Sequence, residues 1–263
     1  GDGVADVTVL VPSYGHEKFV EECVRSALAQ THRWLVVHVV DDNSPDATAE
    51  HARSIRDPRL TVRVNPANLG LGNSVLAALD HVTTPFVAIL NSDDFLHPER
   101  IARCRQVLLD DERAQLVTTD LALVDAEGGE LSPENTSRLR DGRMIFDWVH
   151  WYEQARTTGA QSTDRFAELL RQNFLATSSN LFCRTDWLRA RADALRSLEF
   201  CLDWHVFLTA AREGTLRHLA EPLAAYRLHG ANTVWFRDGR RWRYFLEVNR
   251  VAAEALRDEI ASG

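Results

Sequence analysis

The chain contains no glycine-rich phosphate loop. Neither a GxGxxG after the first apolar run nor a Walker lysine motif occurs, which argues against a dinucleotide dehydrogenase or a P-loop enzyme. Cysteine is sparse. Cys23, Cys104, Cys183 and Cys201 are widely spaced with no CxxC pair, which gives no support to a zinc site and reads as reduced structural thiols. There is no basic excess. A net charge of -8 argues against a general nucleic-acid binder, though a nucleotide held through a metal stays compatible with it. Long apolar runs are also missing: stretches such as Val7-Thr8-Val9-Leu10-Val11 are far too short to span a bilayer. No basic-then-apolar leader pattern opens these residues, so a cytoplasmic location is expected.

What is present is a regular alternation. At 263 residues and 45% apolar content, the chain can bury one large core or two lobes sharing a sheet. "VTVLVP" reads as a strand and "EKFVEECVRSALAQT" as an amphipathic helix with Phe19, Val20, Cys23, Ala27 and Leu28 on one face. "WLVVHVVDD" is a second strand. The helix "SPDATAEHARSIR" is expected to be capped by Ser44, with Pro45 in its first turn. "LTVRVNP", "LGNSVLAALDHV", "PFVAILNSDD" and "HPERIARCRQVLLDD" continue the pattern as strand, helix, strand and helix. This rhythm predicts an α/β fold with a mostly parallel sheet flanked by helices. Further on, a strand pair turning at Gly128-Gly129, a strand then helix at "SSNLFCRTDWL", a helix at "DWHVFLTAAREG", a strand at "LAAYRLHG" and a last amphipathic helix over 240–260 are expected. Residues 132–178 break the rhythm and are rich in aromatics, among them Trp148, Trp151 and Tyr152.

Polar residues recur just after the strands: Pro12-Ser13-Tyr14, Asp41-Asp42-Asn43, Asn65 and Asp93-Asp94. In an open parallel sheet, ligands bind at the carboxyl ends of strands, so these loops mark one site. Adjacent carboxylates repel, which makes a nearby cation attractive at Asp93-Asp94. An oxygen-rich site suits Mg²⁺ or Mn²⁺.

Four stretches, in this order and spacing, resemble the family 2 glycosyltransferases: "VTVLVPSYGHEKFVEECVRSALAQT", "VVDDNSPDAT", "NLGLGNSVLAAL" with "ILNSDDFLHPER", and "CLDWHVFLTAAREGTLRHLAEPLAAYRLHGANT". The resemblance covers residues 7 to about 110 closely and 178 to about 233 well. It implies a GT-A (Rossmann-like) fold with a smaller acceptor-side region of helices and loops. Residues 1–115 would form the nucleotide-sugar half and 116–263 the acceptor half of one continuous domain. It further implies an inverting transfer from a nucleotide donor, usually UDP-linked, to a sugar, a lipid-linked glycan or a small molecule.

By the same resemblance, Pro12 and Tyr14 flank the base, Asp41 accepts a hydrogen bond from it, and Asp42 lies alongside. The family's Asp-x-Asp metal motif reads Asn91-Ser92-Asp93 here, followed by Asp94. Asp93 falls at the metal position. Asn91 is left to bond the ribose or a water, and Asp94 to be a second ligand or a helix cap. Asp203 matches the catalytic base, although its usual acidic neighbour is Leu202, with Glu199 as the nearest substitute. His229 matches a histidine that reaches the metal or diphosphate, and Arg227 is either a phosphate partner or a structural ion pair. Trp148, Trp151 and Trp235 are candidates for an acceptor pocket. The last helix is expected to dock on its own core, to form a dimer contact, or to touch a membrane surface. A metal-dependent nucleotidyltransferase and a non-catalytic nucleotide-sugar binding module are the alternative readings.

Overall fold

The computed structural model describes residues 3–136, 142–230, 232 and 241–262. Four parallel strands form one side of its eight-stranded sheet: β1 (Val7–Ser13), β2 (Leu35–Asp41), β3 (Leu60–Val64) and β4 (Phe86–Ile89), in the order β3-β2-β1-β4. β1 is buried at all seven positions because it lies mid-sheet with helices on both faces. Its side chains divide by the two-residue period of a strand. Val7, Val9 and Val11 enter one core cluster and Leu10 the other.

Beyond β4 the sheet is mixed. The order continues through β7 (Phe182–Arg184), β6 (Leu116–Val124), β8 (Leu216–Arg227) and β5 (Phe95–Leu96). β7 runs antiparallel to β4 and to β6, β8 parallel to β6, and β5 antiparallel to β8. β5 was not expected from the sequence. The chain turns sharply after β4, with the Asp94 amide donating to the Asn91 carbonyl at 3.0 Å, and Phe95 and Leu96 then pair with Ala225 and Ala224.

The helices are α1 (Val20–Leu28), α2 (Thr48–Ser54), α3 (Leu71–Leu79), α4 (Arg100–Asp110), α5 (Gly142–Gln161), α6 (Arg165–Arg171), α7 (Thr185–Arg189), α8 (Ala192–Leu195), α9 (Leu202–Arg212) and α10 (Arg241–Ser262). α2 begins four residues later than the predicted cap. Ser44 instead donates to Asp41 at 2.5 Å, and α2 starts after Ala47 without a side-chain cap, while Asp46 accepts from the Thr48 amide and hydroxyl. The predicted 114–131 strand pair is reduced on its second side to one bridge, Val124 to Glu130, around the left-handed Gly128 (φ 86°). All four cysteines are free and buried, two in each core cluster. α10 packs its inner face, including the buried Val251, on the second cluster. Among the described residues, no helix is long and apolar enough to cross a membrane.

Candidate active site

β1 and β2 deliver the residues expected to face a nucleoside. Pro12 and Ser13 are buried and Tyr14 is 49% exposed, so the ring stands free at the end of the strand. Asp41 is buried and held by three local donors: the hydroxyls of Ser13 (3.1 Å) and Ser44, and the Ser44 amide (2.9 Å). Asp42 is more fully used. Its carboxylate accepts from Asn65, Ser74 and the amides of Leu69 and Gly70, all at 2.8–2.9 Å. A carboxylate offers about four lone-pair sites, so Asp42 is saturated and organises the loop before α3. Asp41 keeps acceptor capacity for a ligand.

The turn after β4 separates its two acids. Asp93 Oδ2 lies 3.0 Å from His229 Nε2 and 3.8 Å from His16 Nε2. Ligand atoms of these three residues all lie within 4.8 Å of one another, the one such group among the described residues. Burial works to raise the Asp93 carboxyl, but the His16 and His229 rings outweigh it and hold the group below the ordinary carboxylate range. Ser92 Oγ bonds His16 Nδ1 at 2.8 Å and so leaves Nε2 turned toward Asp93. Phe19 packs against His229, with ring centroids 4.8 Å apart. Two imidazoles and a carboxylate are a donor set that fits a divalent transition ion, with metal–nitrogen bonds of about 2 Å.

Asp94 does not join this group. Its oxygens accept from the Ser179 hydroxyl (2.5 Å) and the Arg227 amide (2.9 Å), so it ties β4 to β8 and to the 3₁₀ turn Ser178–Asn180. Burial and the adjacent Asp93 charge push its carboxyl well above the usual range. His16 occupies the third place expected for Asp94. Nor does Asn91 face the ion-binding atoms through its amide nitrogen, which donates to Thr177 at 3.0 Å; its buried Oδ1 has no hydrogen-bond partner. Arg227 proves to be the structural alternative. It is buried, pairs with Glu22, and donates to the carbonyls of Asp93, Asp125 and Ala126.

Asp203 stands in the first turn of α9, where it accepts from the Trp204 amide at 2.7 Å. Burial raises its carboxyl to about 7. Leu202, in place of the usual acid, is buried in the second core cluster and faces Gly72 of α3, so its position is a packing site. Glu199 is exposed and pairs with Arg243 at 2.7 Å. Tyr226 on β8 is buried, and burial first, then the charges of Asp94, Asp93 and Asp203, pushes its phenol upward. Its ring stacks on Trp148 at 5.0 Å, and Trp148 in turn meets Tyr152 and Trp151. Trp235 lies outside the described residues.

Sequence reasoning missed His16, Ser179 and Tyr226 as parts of the site. His16 could have been found, because it follows β1 on the same strand-end edge as the other loops. Ser179 and Tyr226 carry no such signal; only the strand order β4-β7-β6-β8 brings them near Asp94 and Asp93.

The chain resembles several known proteins. Chondroitin synthase of Pasteurella multocida is 26% identical over 247 residues, which is 93% of this chain and 23% of that protein. Hyaluronan synthase of the same organism matches to the same extent. The chain therefore spans about a quarter of the length of these curated relatives. Among solved structures, Staphylococcus aureus TarS 1–349 in complex with UDP-GlcNAc superposes with a TM-score of 0.65 at 18% identity, covering 95% of this chain and 66% of that one. The mannosyltransferase PcManGT of Pyrobaculum calidifontis, in complex with GDP-Man and Mn²⁺, gives 0.57 at 18%, covering 100% and 77%. At such identities the likeness speaks for the fold, which is the GT-A fold expected from the sequence. A sequence profile described as glycosyl transferase family 2 matches residues 8–172, well over half of the chain. With that match over more than half of its length, the chain belongs to glycosyl transferase family 2.

Proposed function

We propose that the chain transfers a glycosyl group from a UDP-linked sugar to a saccharide hydroxyl, with inversion at the anomeric carbon. The observation that carries this reading is the His16–Asp93–His229 cluster at the carboxyl edge of the sheet. Those three side chains would hold a divalent ion, Mn²⁺ or Mg²⁺, which supplies charge neutralisation for the departing diphosphate. Tyr14 packs on the base, with Pro12 beneath the turn, and Asp41 accepts the uracil imide N–H. Asp42 acts indirectly, by fixing the loop through Leu69 and Gly70. Ser92 orients His16, and Asn91 presents its unpartnered Oδ1 to the ribose or to a water.

Asp203 takes the proton from the attacking hydroxyl. A base with its pKa near the working pH combines a deprotonated ground state with useful proton affinity, and burial brings Asp203 to about 7. The Trp148–Tyr226 stack supplies an aromatic wall on the acceptor side. A saccharide acceptor accords with the synthases the chain resembles.

The test is Asp203→Asn, assayed as nucleoside diphosphate release from UDP-sugars. Turnover should fall roughly 10²–10⁴-fold, the usual contribution of a positioned base, while UDP binding with Mn²⁺ is unchanged. The pH profile gives the sign independently. The base works deprotonated, so wild-type turnover should fall about tenfold per unit below pH 7 and level off above it. Wild-type turnover by the variant, or a flat profile between pH 5 and 8, refutes the assignment.

A further inference from the structure

We infer that α10 is part of the catalytic machinery, as a strut for the base, and that Glu247 is the positioning residue through which it acts. The inference rests on Asp203 being the base. The three peptide N–H groups just before the first turn of α9 all point at one carboxylate. Glu247 Oε1 accepts from Phe200 and Cys201 at 2.7 Å each, and Oε2 accepts from Glu199 at 2.9 Å. Cys201, the residue just before α9, makes no side-chain cap of its own. Three N–H groups of the segment that leads into α9 are therefore satisfied from another helix 46–48 residues away. Hydrogen bonds to an ionised acceptor are among the stronger ones, and two oxygens sharing three donors leave little freedom of rotation.

The rest of the inner face of α10 acts on the same segment. Arg250 donates to the Ser197 carbonyl and hydroxyl at 3.0 and 3.1 Å, Arg243 pairs with Glu199, and the Tyr244 ring meets Phe200 edge-on at 6.0 Å. Val251 is fully buried and fixes the helix to the core cluster that contains α9. On the opposite side, Gly72 of α3 closes the space: a methyl group there would lie 2.9 Å from the Leu198 carbonyl. Residues 197–202 thus run between α3 and α10 with no slack, and Asp203 is the next residue. A shift of about 1 Å in a reacting group can cost about 10²-fold in rate, so the path of this segment sets whether the carboxylate meets the acceptor hydroxyl.

The experiment compares wild type with Glu247→Gln, Asp203→Asn and the double variant. Turnover is read as UDP release from UDP-glucose and UDP-GlcNAc with Mn²⁺, binding as the UDP dissociation constant, and local order as backbone amide exchange over 197–204. Glu247→Gln removes one of the two accepting oxygens. It should speed exchange of the 199–201 amides at least tenfold and lower kcat by 10–100-fold, with UDP affinity within twofold of wild type. The double variant should be no slower than Asp203→Asn alone, because a displaced base and an absent base fail in the same way. Unchanged exchange, wild-type kcat, or a loss of UDP affinity parallel to the loss of kcat would each overturn the role of Glu247. If Asp203→Asn itself keeps wild-type turnover, the base assignment falls, and the exchange data separately decide whether Glu247 holds the segment.

Discussion

The two acidic pairs of this protein, Asp41-Asp42 and Asp93-Asp94, end neighbouring parts of one sheet and are wired differently. Asp41 and Asp42 take their partners from nearby in the chain: Ser44 is 3 residues away, Asn65 23, Ser13 28 and Ser74 32. Asp94 and Asp93 reach across the fold, to Ser179 at 85 residues, Arg227 at 133 and His229 at 136. In each pair one acid is consumed by the scaffold, Asp42 in the first and Asp94 in the second. The other, Asp41 or Asp93, keeps capacity for a ligand. Adjacent carboxylates at a strand end are therefore not two copies of one function. One holds the loop in shape so that the other can work.

That contrast can be broken or sharpened by substitution. The largest effect is expected from Asp93→Asn, which removes the single carboxylate of the metal cluster. Turnover should fall at least 10²–10³-fold and Mn²⁺ binding, followed by electron paramagnetic resonance with UDP present, should be lost, with the melting temperature nearly unchanged. Asp42→Ala should do the reverse. It leaves the amides of Leu69 and Gly70 and the groups of Asn65 and Ser74 without their acceptor, so chemical denaturation should show a loss of about 1–3 kcal/mol. Donor affinity should drop only as far as the loop loosens. The smallest effect belongs to His16→Asn, where Asp93 and His229 remain. Mn²⁺ affinity should weaken by roughly 10-fold, and a result equal to wild type would remove His16 from the cluster.

The first hundred residues were readable because their structure is periodic and local. Val7, Val9 and Val11 alternate onto one face of β1, and the polar letters after each strand mark the ligand edge. β5 was not readable, since a two-residue strand exists only by pairing with Ala224 and Ala225 far along the chain. Ser44 does not cap α2 because its amide and hydroxyl are bound to Asp41, and the helix starts four residues later at Thr48. Arg227 could serve either a phosphate or a salt bridge by sequence; the carbonyls of Asp93, Asp125 and Ala126 and the carboxylate of Glu22 take four of its five N–H donors.

By itself, then, the amino-acid sequence determined the parallel half of the sheet, the edge on which the polar strand-end residues gather, and the residue types that meet there. Those follow from side-chain periodicity and strand-end chemistry, which act over a few residues. Which acid of each pair stays available, that His16 rather than Asp94 completes the cluster, and that Leu202 is a core residue were decided by tertiary structure. So was the rise of Asp203 to about 7, because desolvation depends on what packs around a carboxyl and not on its neighbours in the chain.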